Sequence, residues 1–158
     1  MSVNAILAVD KNYGIGYENN LPWPFSKKDM KWFSDNTRGH VVVMGRATWE
    51  SLGSKPLPMR TNVVISNREI ENADLVVSGD VSEIIERLSK EYSGQYIWII
   101  GGANIYEQAL PYCDKLYLTT MKGTYITDTK VSKRQISKFR KVIHREEDDD
   151  LIIEIRGR

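Results

Sequence analysis

A single cysteine, two histidines and the lack of any long apolar run set the first limits on this chain. Cys113 alone cannot close a disulfide, and with only His40 and His144 beside it a multi-cysteine or His-rich metal centre is excluded. No segment reaches the roughly 18 apolar residues that a membrane helix needs. Residues 1–9 also lack the basic start of an export signal. There is no repeat, low-complexity tract or linker, so the 158 residues read as one domain, long enough to bury a core unaided. Charge of one sign is missing too: at +1 overall, no global field draws nucleic acid or a membrane surface. An anionic ligand must then be held by local groups, which makes single arginines informative. What remains, 41% hydrophobic and 27% charged, is the balance of a soluble globule, expected in the cytoplasm.

Short β-branched runs alternate with helical patterns. Ala5-Ile6-Leu7-Ala8-Val9 shows no polar alternation and reads as a strand buried on both faces, as do Val41-Val42-Val43-Met44, Asn62-Val63-Val64-Ile65 and Tyr96-Ile97-Trp98-Ile99-Ile100. Leu75-Val76-Val77 and residues 115–120 are further strands. Helices are expected over 26–36, 81–92 and 104–110, the last closed by Pro111. In the first of these, Asp29, Met30, Trp32 and Phe33 form a compact stripe. Residues 139–144 and 151–155 read as a hairpin around an acidic turn. The pattern predicts an α/β fold whose largely parallel sheet ends in an antiparallel edge.

Parallel strands place chemistry in the crevice beyond their carboxyl ends. After the first strand come Gly14-Ile15-Gly16 and Leu21-Pro22-Trp23-Pro24, with Asn19 where a dinucleotide fingerprint needs its third glycine and no helix following. A standard Rossmann reading is rejected. A mobile flap over a ligand is favoured over a plain surface loop, because Leu21 and Trp23 are large apolar groups with no reason to face water. Gly45-Arg46-Ala47-Thr48 and Gly101-Gly102-Ala103-Asn104 each set glycine between a strand and a helix, an arrangement suited to phosphates. Ser66-Asn67-Arg68 ends a third strand with a hydroxyl and a cation. Two readings of Asp29 stay open. Ser26-Lys27-Lys28-Asp29 fits a capping box, yet the residue shares a face with apolar neighbours, where a carboxylate needs a ligand or partner. Arg60, after the stiff Pro56-Leu57-Pro58, could grip a carboxylate, although a solvated arginine is the preferred reading on these residues alone. The run 146–150 is taken as solvated, and Cys113 and His40 as structural.

Taken together, these motifs resemble the dihydrofolate reductases over nearly the whole chain. The resemblance rests on Ala8-Val9 with Gly14-Ile15-Gly16, Leu21-Pro22-Trp23, Asp29 with Trp32-Phe33, and Val43-Met44-Gly45-Arg46 with Thr48-Trp49-Glu50-Ser51. It continues through Pro56-Leu57-Pro58 with Arg60, Ile100-Gly101-Gly102 with Tyr106, residues 115–119 and Asp128-Thr129. It implies a single domain with an eight-stranded, mostly parallel mixed sheet, an antiparallel C-terminal hairpin and four main helices. The implied activity is NADPH-dependent reduction of dihydrofolate to tetrahydrofolate, by a monomer that also binds antifolate-type molecules and uses no metal.

The resemblance also gives roles. Asp29 would bind the pterin, with Thr119 reached through water and Leu21 and Trp23 closing the flap. Ile6 and Ile100 would offer backbone carbonyls to the pterin region, Met30, Phe33 and Leu52 would wall the pocket, and Leu7, Leu57 and Tyr106 would also contact substrate. Arg60 would hold the glutamate tail. Ala8, Ile15, Gly16 and the Gly101-Gly102 pair would frame the nicotinamide and phosphates. Gly45, Arg46, Ala47, Thr48, Ile65, Ser66, Asn67 and Arg68, with Ala103, Asn104, Ile105 and Tyr106, would complete the cofactor site. Three departures stand out: Asn104 where relatives can carry Arg, Met59 for a commoner Gly, and Lys130-Val131-Ser132 after Asp128. The competing readings are a pyrimidine reductase of riboflavin biosynthesis, which shares fold and cofactor, and a non-catalytic nucleotide-binding protein.

Overall fold

The computed structural model describes residues 2–158. Strand β1 (Val3–Val9) is followed by the short β2 (Gly14–Gly16), α1 (Lys27–Thr37), β3 (Val41–Gly45) and α2 (Arg46–Ser51). Next come β4 (Thr61–Ile65), β5 (Leu75–Val77), α3 (Val81–Glu91), β6 (Ile97–Gly101) and α4 (Ala103–Ala109), with a 3-10 turn at Leu110–Tyr112 that takes up Pro111. The chain ends with β7 (Lys115–Met121), β8 (Thr129–Lys130), α5 (Lys133–Ser137), β9 (Lys141–Glu147) and β10 (Leu151–Gly157).

Eight strands form one sheet in the order β5-β4-β3-β6-β1-β7-β10-β9, and β2 and β8 form a separate antiparallel ribbon. The first six strands run parallel; β10 pairs antiparallel with both β7 and β9, as expected of the terminal hairpin, and so runs counter to the other seven. The unbroken apolar runs of β1, β3, β4 and β6 are explained by helices and loops covering both faces, which creates an apolar cluster on each side. Val41, Val43, Ile97 and Ile99 point to one side, and Val42, Met44 and Trp98 to the other.

The four main helices expected are present, joined among the described residues by a short fifth, α5. Two expectations need correction. The penultimate strand begins at Lys141, not at residue 139, because Phe139 is buried beneath the Arg158 guanidinium, 4.4 Å from its ring centroid. Glu146 and Glu147 belong to β9, leaving Asp148 to make the turn by accepting from the Asp150 and Leu151 N–H groups.

Candidate functional site

The carboxyl ends of the parallel strands open onto a cavity of about 1120 Å³. That is just above the roughly 300–1,000 Å³ usual for small-molecule sites, room for a ligand of dinucleotide size. Leu7, Ala8, Ile15, Gly16, Leu21 and Trp23 line one part of it. Gly45, Arg46, Ala47, Thr48, Leu52, Ile65, Ser66 and Asn67 line another, and Ile100, Gly101, Gly102, Ala103, Asn104, Ile105 and Tyr106 a third. Among the described residues Arg46 is the one charged side chain in the lining, and no Asp or Glu lies there. Arg68 stands just outside, exposed, with its N–H on Ser66 Oγ.

Helix starts explain why this cavity suits an anion. Three helices are capped by side chains: Ser26 accepts from Asp29 N–H on α1, Asp80 from Ser82 and Glu83 on α3, and Ser132 from Gln135 on α5. The two that begin at the cavity, α2 and α4, start at Gly45 and Gly102 with no side-chain cap. Their first N–H groups are therefore free to serve a ligand. The glycines are needed for close approach: a Cβ on Gly45 would lie 3.1 Å from Ile105, and one on Gly101 3.3 Å from Thr48 Oγ1. Gly101 also has φ +124°, and its peptide bond to Gly102 is cis.

The two readings of Asp29 turn out to divide between two residues. Ser26 caps α1, while the Asp29 carboxyl is directed to Thr119. Burial pushes that carboxyl above the usual carboxylate range, and the hydrogen bond to Thr119 pulls it only partly back. Neither residue lies in the cavity wall, but both adjoin it. Thr119 is the register partner of Ala8. The Tyr106 hydroxyl donates to the Ile6 carbonyl at 2.8 Å, and it is held protonated by burial and, less strongly, by the Asp29 charge. The carbonyl of Ile6 keeps a second lone pair for a ligand. Met30 departs from the expected stripe. It is 41% exposed, because one helical step turns it about 100° away from Asp29.

A second group gathers beyond α1. Phe33 and Leu57 pack on the same apolar cluster. The Arg60 guanidinium lies 5.9 Å from the Phe33 ring centre, with Nη1 donating to Thr37 Oγ1 at 3.0 Å and Nε to the Pro58 carbonyl at 2.9 Å. The preference for a freely solvated Arg60 is thus overturned: it is half-buried and fixed. Burial and the neighbouring Arg38 charge both depress its pKa, and among the described residues no carboxylate forms an ion pair with either arginine. Two adjacent cations without a counter-charge favour an anionic ligand.

The flap is anchored at both ends. Asp10 is buried, and its Oδ1 accepts from Asn12 and Gly14 N–H at 2.9 and 2.8 Å. Asp128 N–H donates to the Gly16 carbonyl, and Asp128 Oδ2 accepts from Glu18 N–H, both at 2.9 Å. Trp23 is 5% exposed, set edge-on to Tyr125, whereas Leu21 is 52% exposed at the mouth. The unusual Val131 is buried and bonds Tyr13, so the departure after Asp128 secures the flap's base. Asn104 is tied to Gln108 through Nε2 at 3.0 Å.

Sequence reasoning missed Asn19, Asn20, Phe25, Ser51, Ser78, Gly79, Val81, Gln108 and Thr129 in the lining. Ser78-Gly79 was within reach: it repeats the strand–glycine–helix arrangement after Val77. Thr37 and Asn62, which hold the Arg60 loop, gave no local signal.

A family model described as dihydrofolate reductase matches residues 2–155. The dihydrofolate reductase of Buchnera aphidicola subsp. Acyrthosiphon pisum is 40% identical over 145 residues, spanning 92% of this chain and 88% of that protein. That of Haemophilus influenzae is 39% identical over 129 residues, 82% of this chain and 78% of its own length. A solved dihydrofolate reductase from Enterococcus faecalis, complexed with NADP(H) and RAB-propyl, superposes with a TM-score of 0.86 at 30% identity. It covers 99% of this chain and 96% of its own.

Proposed function

This chain belongs to the dihydrofolate reductase family, and from that premise we propose that it reduces 7,8-dihydrofolate to tetrahydrofolate with NADPH. The observation that carries the reading is the Asp29 carboxyl, desolvated and bonded to Thr119, beside a nucleotide-sized cavity whose two helix starts lack caps. The cavity fits the cofactor. The N–H groups at the starts of α2 and α4 and the Thr48 hydroxyl suit a pyrophosphate, and Arg46 with Ser66 and Asn67 suits the 2′-phosphate. Arg68 can add its charge from outside the wall. Ala8, Ile15 and Gly101-Gly102 lie where a nicotinamide would be framed.

When bound, NADPH supplies a hydride to the pterin C6. The protein's part is binding, orientation and exclusion of water. Asp29 accepts two N–H bonds from the pterin's 2-amino group and N3, and this satisfies a carboxylate that burial would otherwise penalise. Thr119 orients the carboxyl, and the Ile6 and Ile100 carbonyls border the ring. Phe33, Leu52 and Leu57 form apolar walls, with Met30 at the rim. Arg60, pre-set by Thr37, takes the α-carboxylate of the glutamate tail. N5 must gain a proton, yet no carboxyl lines the cavity and Asp29 is engaged with the far side of the ring. A water admitted under the flap, past Leu21 and Trp23, is the donor in this scheme. The desolvated Asp29 polarises the ring and so makes N5 more basic.

The test is steady-state oxidation of NADPH. Oxidation that begins on adding dihydrofolate, with tetrahydrofolate formed in equal amount, supports the assignment. Oxidation only with a ribosylamino-pyrimidine would move the chain to the riboflavin branch of the fold, and cofactor binding without turnover would make it a nucleotide-binding protein.

A further inference from the structure

We propose that Asn62 is the positioning residue for tail recognition: its buried amide sets the loop that carries Leu57 and Arg60, and so governs affinity for the anionic tail without touching substrate. Asn62 is fully buried at the start of β4, opposite Val42 in β3. A side-chain amide in a sheet core is costly unless bonded, and every contact this one makes goes to one loop. Its Oδ1 accepts from Leu57 N–H at 2.9 Å, and its Nδ2 donates to the carbonyls of Leu57 and Arg60, each at 3.0 Å. Its own backbone is clamped to Asp74, with N–H to Oδ2 at 2.7 Å and the return bond at 3.0 Å. Between the two anchored residues the chain makes a turn that needs holding, since Met59 has φ +62°. Without the amide, the hydrogen bonds left to the loop among the described residues are the Gly39 N–H bond to the Met59 carbonyl and Arg60's own side-chain bonds.

The inference rests on the proposed role of Arg60, and the experiment separates the two. Trp fluorescence titrations would measure binding of a 2,4-diaminopteridine ring alone, and of the same ring bearing a benzoylglutamate tail. The unmodified protein, Asn62→Ala, Arg60→Ala and the double variant would be compared, with Asn62→Ser measured alongside should the Ala variant not fold. If the tail adds no affinity in the unmodified protein, the Arg60 reading fails first. Otherwise Asn62→Ala should weaken the tailed ligand about tenfold or more, with the bare ring changed less than about twofold and kcat at saturation preserved. In the Arg60→Ala background the same change should add little further loss, because both act on one contact. Equal weakening of both ligands, or losses that multiply in the double variant, would overturn the proposal and leave Asn62 with a general structural role.

Discussion

Asp29→Asn preserves the shape of the side chain and removes its charge, so it isolates what the carboxylate does. A charged hydrogen bond contributes ~1.5–3 kcal/mol and a neutral one about 1 kcal/mol. Asn keeps one acceptor and presents an NH₂ group to a ring donor at the other position. One charged bond is then lost and the remaining one weakens, for a total of about 3–4 kcal/mol, or roughly two to three orders of magnitude in kcat/KM at neutral pH. The loss should shrink as pH falls, because more dihydrofolate then arrives already protonated. The ligand-free protein should respond in the opposite sense. Burial raises the pKa of Asp29 in the folded state, so its contribution to stability is full below the unfolded pKa and declines as pH rises through the folded one. Ligand-free Asp29→Asn should therefore melt above the parent at neutral pH, with the difference closing towards about pH 3. Absorbance assays of reduced nicotinamide and thermal melts across pH test both halves. A variant within twofold of the parent at pH 7 would refute the reasoning.

Other expectations follow from single side chains. Arg46 is the one cation in the cavity wall, so Arg46→Ala should weaken NADPH about ten- to hundredfold while NADH changes far less; equal losses in isothermal titrations would move Arg46 from the 2′-phosphate to the pyrophosphate. Met59→Gly relieves a left-handed residue and should raise Tm by about 2–3 °C, whereas Met59→Ala should not; identical melts would remove strain at this turn as a factor. A Cβ on Gly14 would collide with the Thr127 side chain. Gly14→Ala should therefore loosen the β2–β8 ribbon and lower kcat/KM, with recovery in Gly14→Ala/Thr127→Gly; no recovery would place the fault elsewhere. Burial pushes the Cys113 thiol up to about 12, so a thiol reagent at pH 8 should label it only as fast as the protein unfolds; rapid labelling of the native state would contradict that burial.

The sequence was most readable where one local rule suffices. Unbroken apolar runs marked the buried parallel strands, and Ser26, three residues before Asp29, marked the start of α1. The insertion of β6 between β3 and β1 was not readable, because strand order depends on crossovers that no short window encodes. Phe139 looked like part of a strand because an apolar side chain buried in the core beneath Arg158 has the same one-letter signature as a strand residue. The Arg60 contact was undervalued because its supports, Thr37 and Asn62, come from α1 and β4. Glycine after a strand identified the cavity's rim at Gly45 and Gly101, and the same rule applied at Ser78-Gly79 would have extended it.

A bound ring's protonation state offers the most direct view of the inward-facing acid. The ultraviolet spectrum of 2,4-diaminopteridine distinguishes its cation from its neutral form, and an ionised Asp29 in a desolvated site should stabilise the cation. In the native protein the bound ring should therefore show the cation spectrum well above its free pKa, and Asp29→Asn should abolish it. A neutral spectrum in the native complex would contradict the account at its centre.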